Sequence, residues 1–175
     1  MAALSYLITT LLSLCLLAVL LRLLLQWARA DFRNPLAQAI VQLTNPLIVP
    51  LRRVLPAVGR LDTASCVAVL AFALLQVGAA ALLAGLGPLP LLYWLQEAVL
   101  EILRTTLWIY FVAIVLYAVL SMIAPGAYSP MQSLLVSLCE PVLRRFRGVI
   151  PPLGGLDLSP LWACILIQAL LILLR

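Results

Sequence analysis

The sequence predicts an all-α membrane protein made of two tandem parallel repeats. Each repeat is a transmembrane (TM) helix, a short amphipathic helical hairpin and a second TM helix, giving four TM spans. Three observations carry that reading. The 175-residue chain is 66% apolar and 10% charged, with a mean hydropathy of +1.20, whereas a soluble domain carries charge on about a quarter of its residues. The apolar residues gather in runs close to the ~20 residues a helix needs to cross ~30 Å of hydrocarbon. A cassette then recurs at a fixed offset of 95 residues, without a gap. Asn34-Pro35-Leu36, Asn45-Pro46, Arg52, Val54, Pro56, Gly59 and Leu61-Asp62 return as Ser129-Pro130-Met131, Glu140-Pro141, Arg147, Val149, Pro151, Gly154 and Leu156-Asp157. Prolines, glycines and aspartates constrain backbone and charge, so their recurrence does not follow from shared hydrophobicity and marks a duplication. The repeats run 1–88 and 89–175, within one membrane domain.

The first span is expected at 4–27, with Arg22 near its end reaching toward the headgroups and Trp27 and Arg29 marking the interface. Its start lacks a basic n-region and its apolar run exceeds a signal-peptide core, so it reads as a retained helix. The first hairpin follows at 34–56. Asn34 caps it, Pro35 takes the first helical position, and Leu36, Ala39, Ile40 and Leu43 form its apolar face. A second short arm begins at Pro46 and ends before Pro56. Asp62 then precedes the second span, 64–86, which the loop signal Gly85-Leu86-Gly87-Pro88-Leu89-Pro90 closes.

The third helix, 91–123, opens on an amphipathic segment with Glu97, Glu101 and Arg104 on one face. Its apolar span proper begins near Thr105. The second hairpin, 129–151, repeats the first: Ser129 caps, Pro130 starts, and Pro141 opens the second arm before Pro151. Asp157 precedes the fourth apolar run, 161–174. That run spans only if it begins near Leu158 or the bilayer thins around it.

Charge sets the orientation. All 11 cations are arginines, and those of the two cassette regions (Arg29, Arg33, Arg52, Arg53, Arg60; Arg144, Arg145, Arg147) lie on one side, because two helices separate the cassettes. The opposite loop offers only Arg104, beside two glutamates. The positive-inside rule makes the cassettes cytoplasmic and both termini periplasmic. The net charge of +5 sits beside apolar spans, so anionic lipid headgroups are the expected partner rather than nucleic acid. Each cassette arm is too short to span and is expected to lie in the interface or dip into it.

With no histidine, the chain lacks the commonest general base and the commonest neutral metal ligand. Cys15, Cys66, Cys139 and Cys164 have no CxxC spacing and read as small packing residues. No catalytic residue, metal or cofactor is expected. The candidate structural and interaction residues are those that recur: Pro35, Pro46, Arg52, Pro56, Gly59 and Asp62, with Pro130, Pro141, Arg147, Pro151, Gly154 and Asp157. Each aspartate can cap the following span, or pair with a cassette arginine, Asp62 with Arg52 or Arg53 and Asp157 with Arg147, and the two roles are compatible.

These duplicated elements, with Leu-Arg-Arg-Val-Leu-Pro and the Gly-x-Leu-Asp ahead of an apolar run, resemble the YggT/YlmG family of small bacterial and plastid membrane proteins. The resemblance covers essentially the whole chain, in a duplicated form. The copies differ at Pro50 against Arg145, Arg53 against Gly148 and Arg60 against Gly155. The resemblance implies a non-enzymatic inner-membrane protein. Its bacterial relatives are linked to osmotic-stress tolerance, ion uptake, cell division or nucleoid distribution, and its plastid relatives to haem attachment to cytochrome b6. Two functions stand: a scaffold or assembly factor engaging membrane-protein partners or further copies of itself, and an oligomeric ion or osmolyte pathway.

Overall fold

Helix is the only regular structure among the described residues of the computed structural model, which are 2–55, 62–87, 90–123, 129–148 and 157–174. Pro56, Gly59, Pro151 and Gly154 lie outside them. The order is α1 (Ala2–Trp27), α2 (Pro35–Val54), α3 (Thr63–Leu83), α4 (Leu91–Ile123), α5 (Pro130–Arg147) and α6 (Ser159–Leu173). In hydrocarbon a backbone N–H or C=O left without a partner costs several kcal/mol, so an apolar chain satisfies its backbone within helices. Helices α1, α3 and α4 are long and apolar enough to cross a membrane. At 1.5 Å per residue, the 15 residues of α6 reach ~22 Å.

The cassettes differ from the expected hairpins. Each forms one continuous helix, with Pro46 and Pro50 inside α2 and Pro141 inside α5. A proline removes one intrahelical hydrogen bond and disfavours helix at the residue before it, at a cost of about 3 kcal/mol. What opposes that cost is burial along a single stripe. In α2, Ala37, Thr44 and Ile48 are all fully buried, and in α5 the buried set Leu134, Leu135, Leu138, Cys139 and Leu143 runs straight through Pro141. Breaking either helix at its proline would turn the far half of the stripe away from its packing.

The helix ends obey local rules. Helix α3 closes in a Schellman turn: Gly85 has φ +71, its N–H reaches Leu82 O, and the Leu86 N–H reaches Ala81 O. The same pattern ends α1, where Arg29 N–H bonds Gln26 O and Ala30 N–H bonds Leu25 O. There Arg29 itself takes φ +54, a conformation that costs a residue with a Cβ about 1 kcal/mol.

Two compact units form: Met1–Leu23 with Ile40–Thr105, and Leu24–Ala39 with Thr106–Arg175. In the first, Leu16, Val19, Leu20 and Ile48 are buried together with small residues of α3, Ala64, Ser65, Ala68 and Ala73. Small side chains let helix backbones approach closely. Trp94 uses such room: a Cβ at Gly78 would stand 3.3 Å from the indole, whose Nε1 donates to Leu74 O at 3.0 Å. In the second unit the core is Leu24, Leu25, Ile114, Leu138, Leu143 and Ala163.

Candidate functional site

Asp62 is the N-cap residue of α3, and its side chain is almost fully buried while that of Arg52 is half-exposed. The guanidinium closes a fork on it, Nη2 to Oδ2 at 2.5 Å and Nε to Oδ1 at 3.3 Å. The Ser65 hydroxyl donates to the same Oδ2 at 2.7 Å. Burial alone would raise the Asp62 pKa, but the hydrogen bonds from Arg52 and Ser65 outweigh it and hold the carboxyl below its ordinary value. The last turn of α2 is thereby tied to the first turn of α3.

The second cassette makes the corresponding link. Arg147 Nε donates to Asp157 Oδ2 at 2.7 Å, and Asp157 Oδ1 accepts from the Ser159 N–H at 2.9 Å, capping the start of α6. Asp157 too is held below its ordinary value: burial acts upward, and bonds from Ser159 and Arg147 prevail. This pair is more open to solvent than the first, with about two-fifths of the side chain exposed on each partner.

A third arginine joins the first clamp. Arg22 is buried, not extended toward the headgroups. Its Nη1 donates to Thr44 Oγ1 at 2.8 Å and Asn45 Oδ1 at 3.0 Å, with Val41 O at 3.5 Å. Those acceptors lie in the turn just ahead of Pro46, where the helix lacks a bond of its own. Arg52 and Asp62 are the charged groups acting on it. The position 95 residues after Arg22 is Tyr117, whose hydroxyl accepts from Arg147 Nη2 at 3.3 Å. Asn45 becomes Glu140, which takes Arg147 Nη1 at 2.8 and 3.1 Å. The first cluster therefore sets two cations against one carboxylate, and the second sets one cation against two.

Neighbouring groups are occupied locally. Asn34 accepts the Leu36 N–H on Oδ1 at 2.9 Å and turns its amide to Pro130 O at 2.6 Å and Ser133 Oγ at 2.9 Å, so the first turns of the two cassette helices touch. Ser129 caps α5 through Gln132 N–H at 3.1 Å. Pro35 and Pro130 open their helices. Cys139 is fully buried, and its thiol is pushed up to about 12 by burial, with Cys164 and Glu140 acting the same way. It behaves as an inert packing group. Among the described residues no three His, Cys, Asp or Glu side chains converge as a metal cage. The arrangement holds helices together.

A second polar cluster lies between α3 and α4. Gln76 Nε2 donates to Glu101 Oε1 at 2.8 Å, and Arg104 lies 3.4 Å from Glu97 and 3.7 Å from Glu101. The Gln76 Oε1 is buried without a hydrogen-bond partner among the described residues.

The family model described as CCB3/YggT matches residues 1–83 and 96–175 of the chain. An uncharacterized protein of Pseudomonas aeruginosa is 42% identical over 162 residues, 90% of this chain and 81% of that relative. The Escherichia coli K12 protein described as uncharacterized protein YggT is 35% identical over 170 residues, 97% of this chain and 88% of that one. A 45-residue stretch is 51% identical to the chloroplastic YlmG homolog protein 2 of Arabidopsis thaliana, covering 26% of this chain and 18% of that one. No solved structure matches.

Proposed function

Because this chain belongs to the CCB3/YggT family, we propose that it is a non-enzymatic, multi-pass protein of the bacterial inner membrane that serves as a scaffold in assembly or stress tolerance. Helices α2 and α5 lie on the cytoplasmic side and capture a membrane-protein partner. The observation that carries this reading is the pair of arginine–aspartate clamps, Arg52 with Asp62 and Arg147 with Asp157. Each fixes an amphipathic helix to the start of an apolar one, so the helix is presented rigidly. On α2 the side chains of Leu36, Leu43, Val49 and Val54 stay exposed, an apolar surface available to lipid and partner.

Helix α6 is the fourth span, completed by local thinning of the bilayer. The cassette arginines set the cytoplasmic side. Site-specific crosslinking from α2 tests the scaffold. Arg52→Asp with Arg147→Asp should abolish partner capture, and adding Asp62→Arg with Asp157→Arg should restore it by re-forming both pairs reversed. Capture that persists at full yield with both arginines reversed sinks the reading.

An oligomeric ion or osmolyte pathway in osmotic or potassium homeostasis is the second reading. The polar cluster of Gln76, Glu101 and Arg104 on apolar helices favours it, since ionisable groups at membrane depth mark pathways. Against it, Thr9 and Ser13 donate to their own helix carbonyls, Ser5 O at 2.9 Å and Thr9 O at 2.8 Å, which commits the one donor of each hydroxyl. Potassium flux through reconstituted liposomes decides: flux no greater than through empty liposomes removes the pathway.

A further inference from the structure

The second unit holds an open-sided apolar cleft of about 930 Å³, between the end of α1, the middle of α4 and the facing sides of α5 and α6. That volume is at the upper end of the ~300–1,000 Å³ of small-molecule sites. Its walls are of two kinds. Trp27, Tyr110, Phe146 and Trp162 supply aromatic rings, and Ile165, Leu166 and Ala169 continue down α6. From Trp162 to Ala169 the helix rises ~10 Å. One charge stands at the edge, Arg145. It is exposed, and among the described residues it has neither ion-pair nor hydrogen-bond partner. The bond from Arg147 to Asp157 fixes the end of α5 beside the start of α6, so Arg145 sits at the Trp162 end and the aliphatic wall runs away from it.

A cation with the rings of Phe146 and Trp162 at one end, and an aliphatic trough leading off, match one ligand chemistry: a phosphate joined to an acyl chain. Arginine binds phosphate through a planar fork, and Trp and Tyr settle at headgroup depth. The first copy lacks these features. The positions 95 residues before Arg145, Phe146 and Trp162 are Pro50, Leu51 and Val67, so the cation and two of the rings belong to the second copy alone.

We propose that this cleft is a binding site for one anionic phospholipid, its phosphate on Arg145 and an acyl chain along Ile165, Leu166 and Ala169. The site requires that the chain be membrane-embedded and is independent of partner capture. A bound lipid would fill the side of α6, the shortest apolar helix, and ease its fit to the bilayer.

Native mass spectrometry of the delipidated full chain, titrated with phosphatidylglycerol or phosphatidylcholine, tests the site. One phosphatidylglycerol should be retained in preference to phosphatidylcholine. Arg145→Gln should weaken that retention about fivefold, the worth of one arginine near an anionic headgroup, and leave phosphatidylcholine unchanged. Arg53→Gln, outside the cleft, should change neither. Equal retention of both lipids, or undiminished phosphatidylglycerol on Arg145→Gln, overturns the proposal. Should Arg145→Gln fail to fold, fluorescence quenching of the unaltered chain by brominated phosphatidylglycerol must exceed that by brominated phosphatidylcholine, and the excess must shrink in Trp162→Phe. Equal quenching overturns it as well. No partner protein is present in either experiment, so a failure of the scaffold reading leaves these outcomes untouched.

Discussion

At Asp62, the N-cap residue of α3, one carboxylate meets two demands: it closes the fork on Arg52 and accepts the Ser65 hydroxyl, and it makes no capping bond of its own. Lone and buried, it would take up a proton; with these donors it stays ionised below the ordinary carboxylate range. A carboxyl whose folded pKa lies below its unfolded value of ~3.9 adds stability above that value and loses it as the pH falls through the folded pKa. Asp157 acts in the same direction. The thermal midpoint of the purified protein should therefore be flat from about pH 7 to 5 and fall below about pH 4. Asp62→Asn should cost about 2 kcal/mol at pH 7, the worth of hydrogen bonds to a buried charge, and should flatten part of the acid limb. Asp157→Asn, at a more exposed pair, should cost under about 1 kcal/mol. If Asp62→Asn and the unaltered protein share one midpoint from pH 7 to 3, the clamp contributes nothing to stability.

At the scale of the element, the prolines of α2 and α5 show where local rules stop. Helix α4 covers Leu91–Ile123, the bounds its apolar periodicity predicts, because a turn-rich stretch precedes it and nothing inside it opposes helix. The Arg–Asp pairs are equally legible, since a spacing of ten residues between arginine and aspartate recurs in both copies. The continuity of α2 is not. The residue preceding a proline disfavours helix, and the forces that keep Asn45 helical come from elsewhere. They are the burial of Thr44 and Ile48 and the donors of Arg22, whose partners lie 19 to 23 residues along the chain. Arg22 itself has a signal that reading by composition misses: Thr44 and Asn45 are adjacent polar residues in the middle of α2, just ahead of Pro46. Spin labels at Gln38 and Arg53, both exposed, should lie ~22 Å apart along one helix before allowance for linkers. A population near 10 Å would restore the hairpin. Pro46→Ala, which supplies the missing N–H, should leave that distance unchanged and raise the thermal midpoint.

At the scale of the whole molecule the question is which way the chain threads the bilayer, and the proposed orientation rests on the energetics of the arginines. Moving the cluster that holds Arg144, Arg145 and Arg147 across a membrane would carry several cations through hydrocarbon, each at about 2.5–3.5 kcal/mol on insertion scales. The α3–α4 connection has one nearby cation, Arg104, and that one is held by Glu97 and Glu101, so its translocation is cheap by comparison. If the repeats are parallel, with an even number of spans in each, α2 and α5 face the same compartment; an inverted duplication would place them on opposite sides. Single cysteines in a background cleared of the four native ones separate these cases. Gly87, where an added Cβ meets nothing within 4 Å, is the outer reporter, and Arg53 and Arg144, both exposed, are the inner ones. In intact cells an impermeant maleimide should label Gly87→Cys, and should reach Arg53→Cys and Arg144→Cys only after the membrane is opened. Labelling of both inner positions without Gly87 would reverse the orientation and keep the parallel repeats. Labelling of Arg53→Cys but not Arg144→Cys would leave the orientation of one copy standing and overturn the parallel arrangement, and with it a scaffold that presents both clamps to one partner.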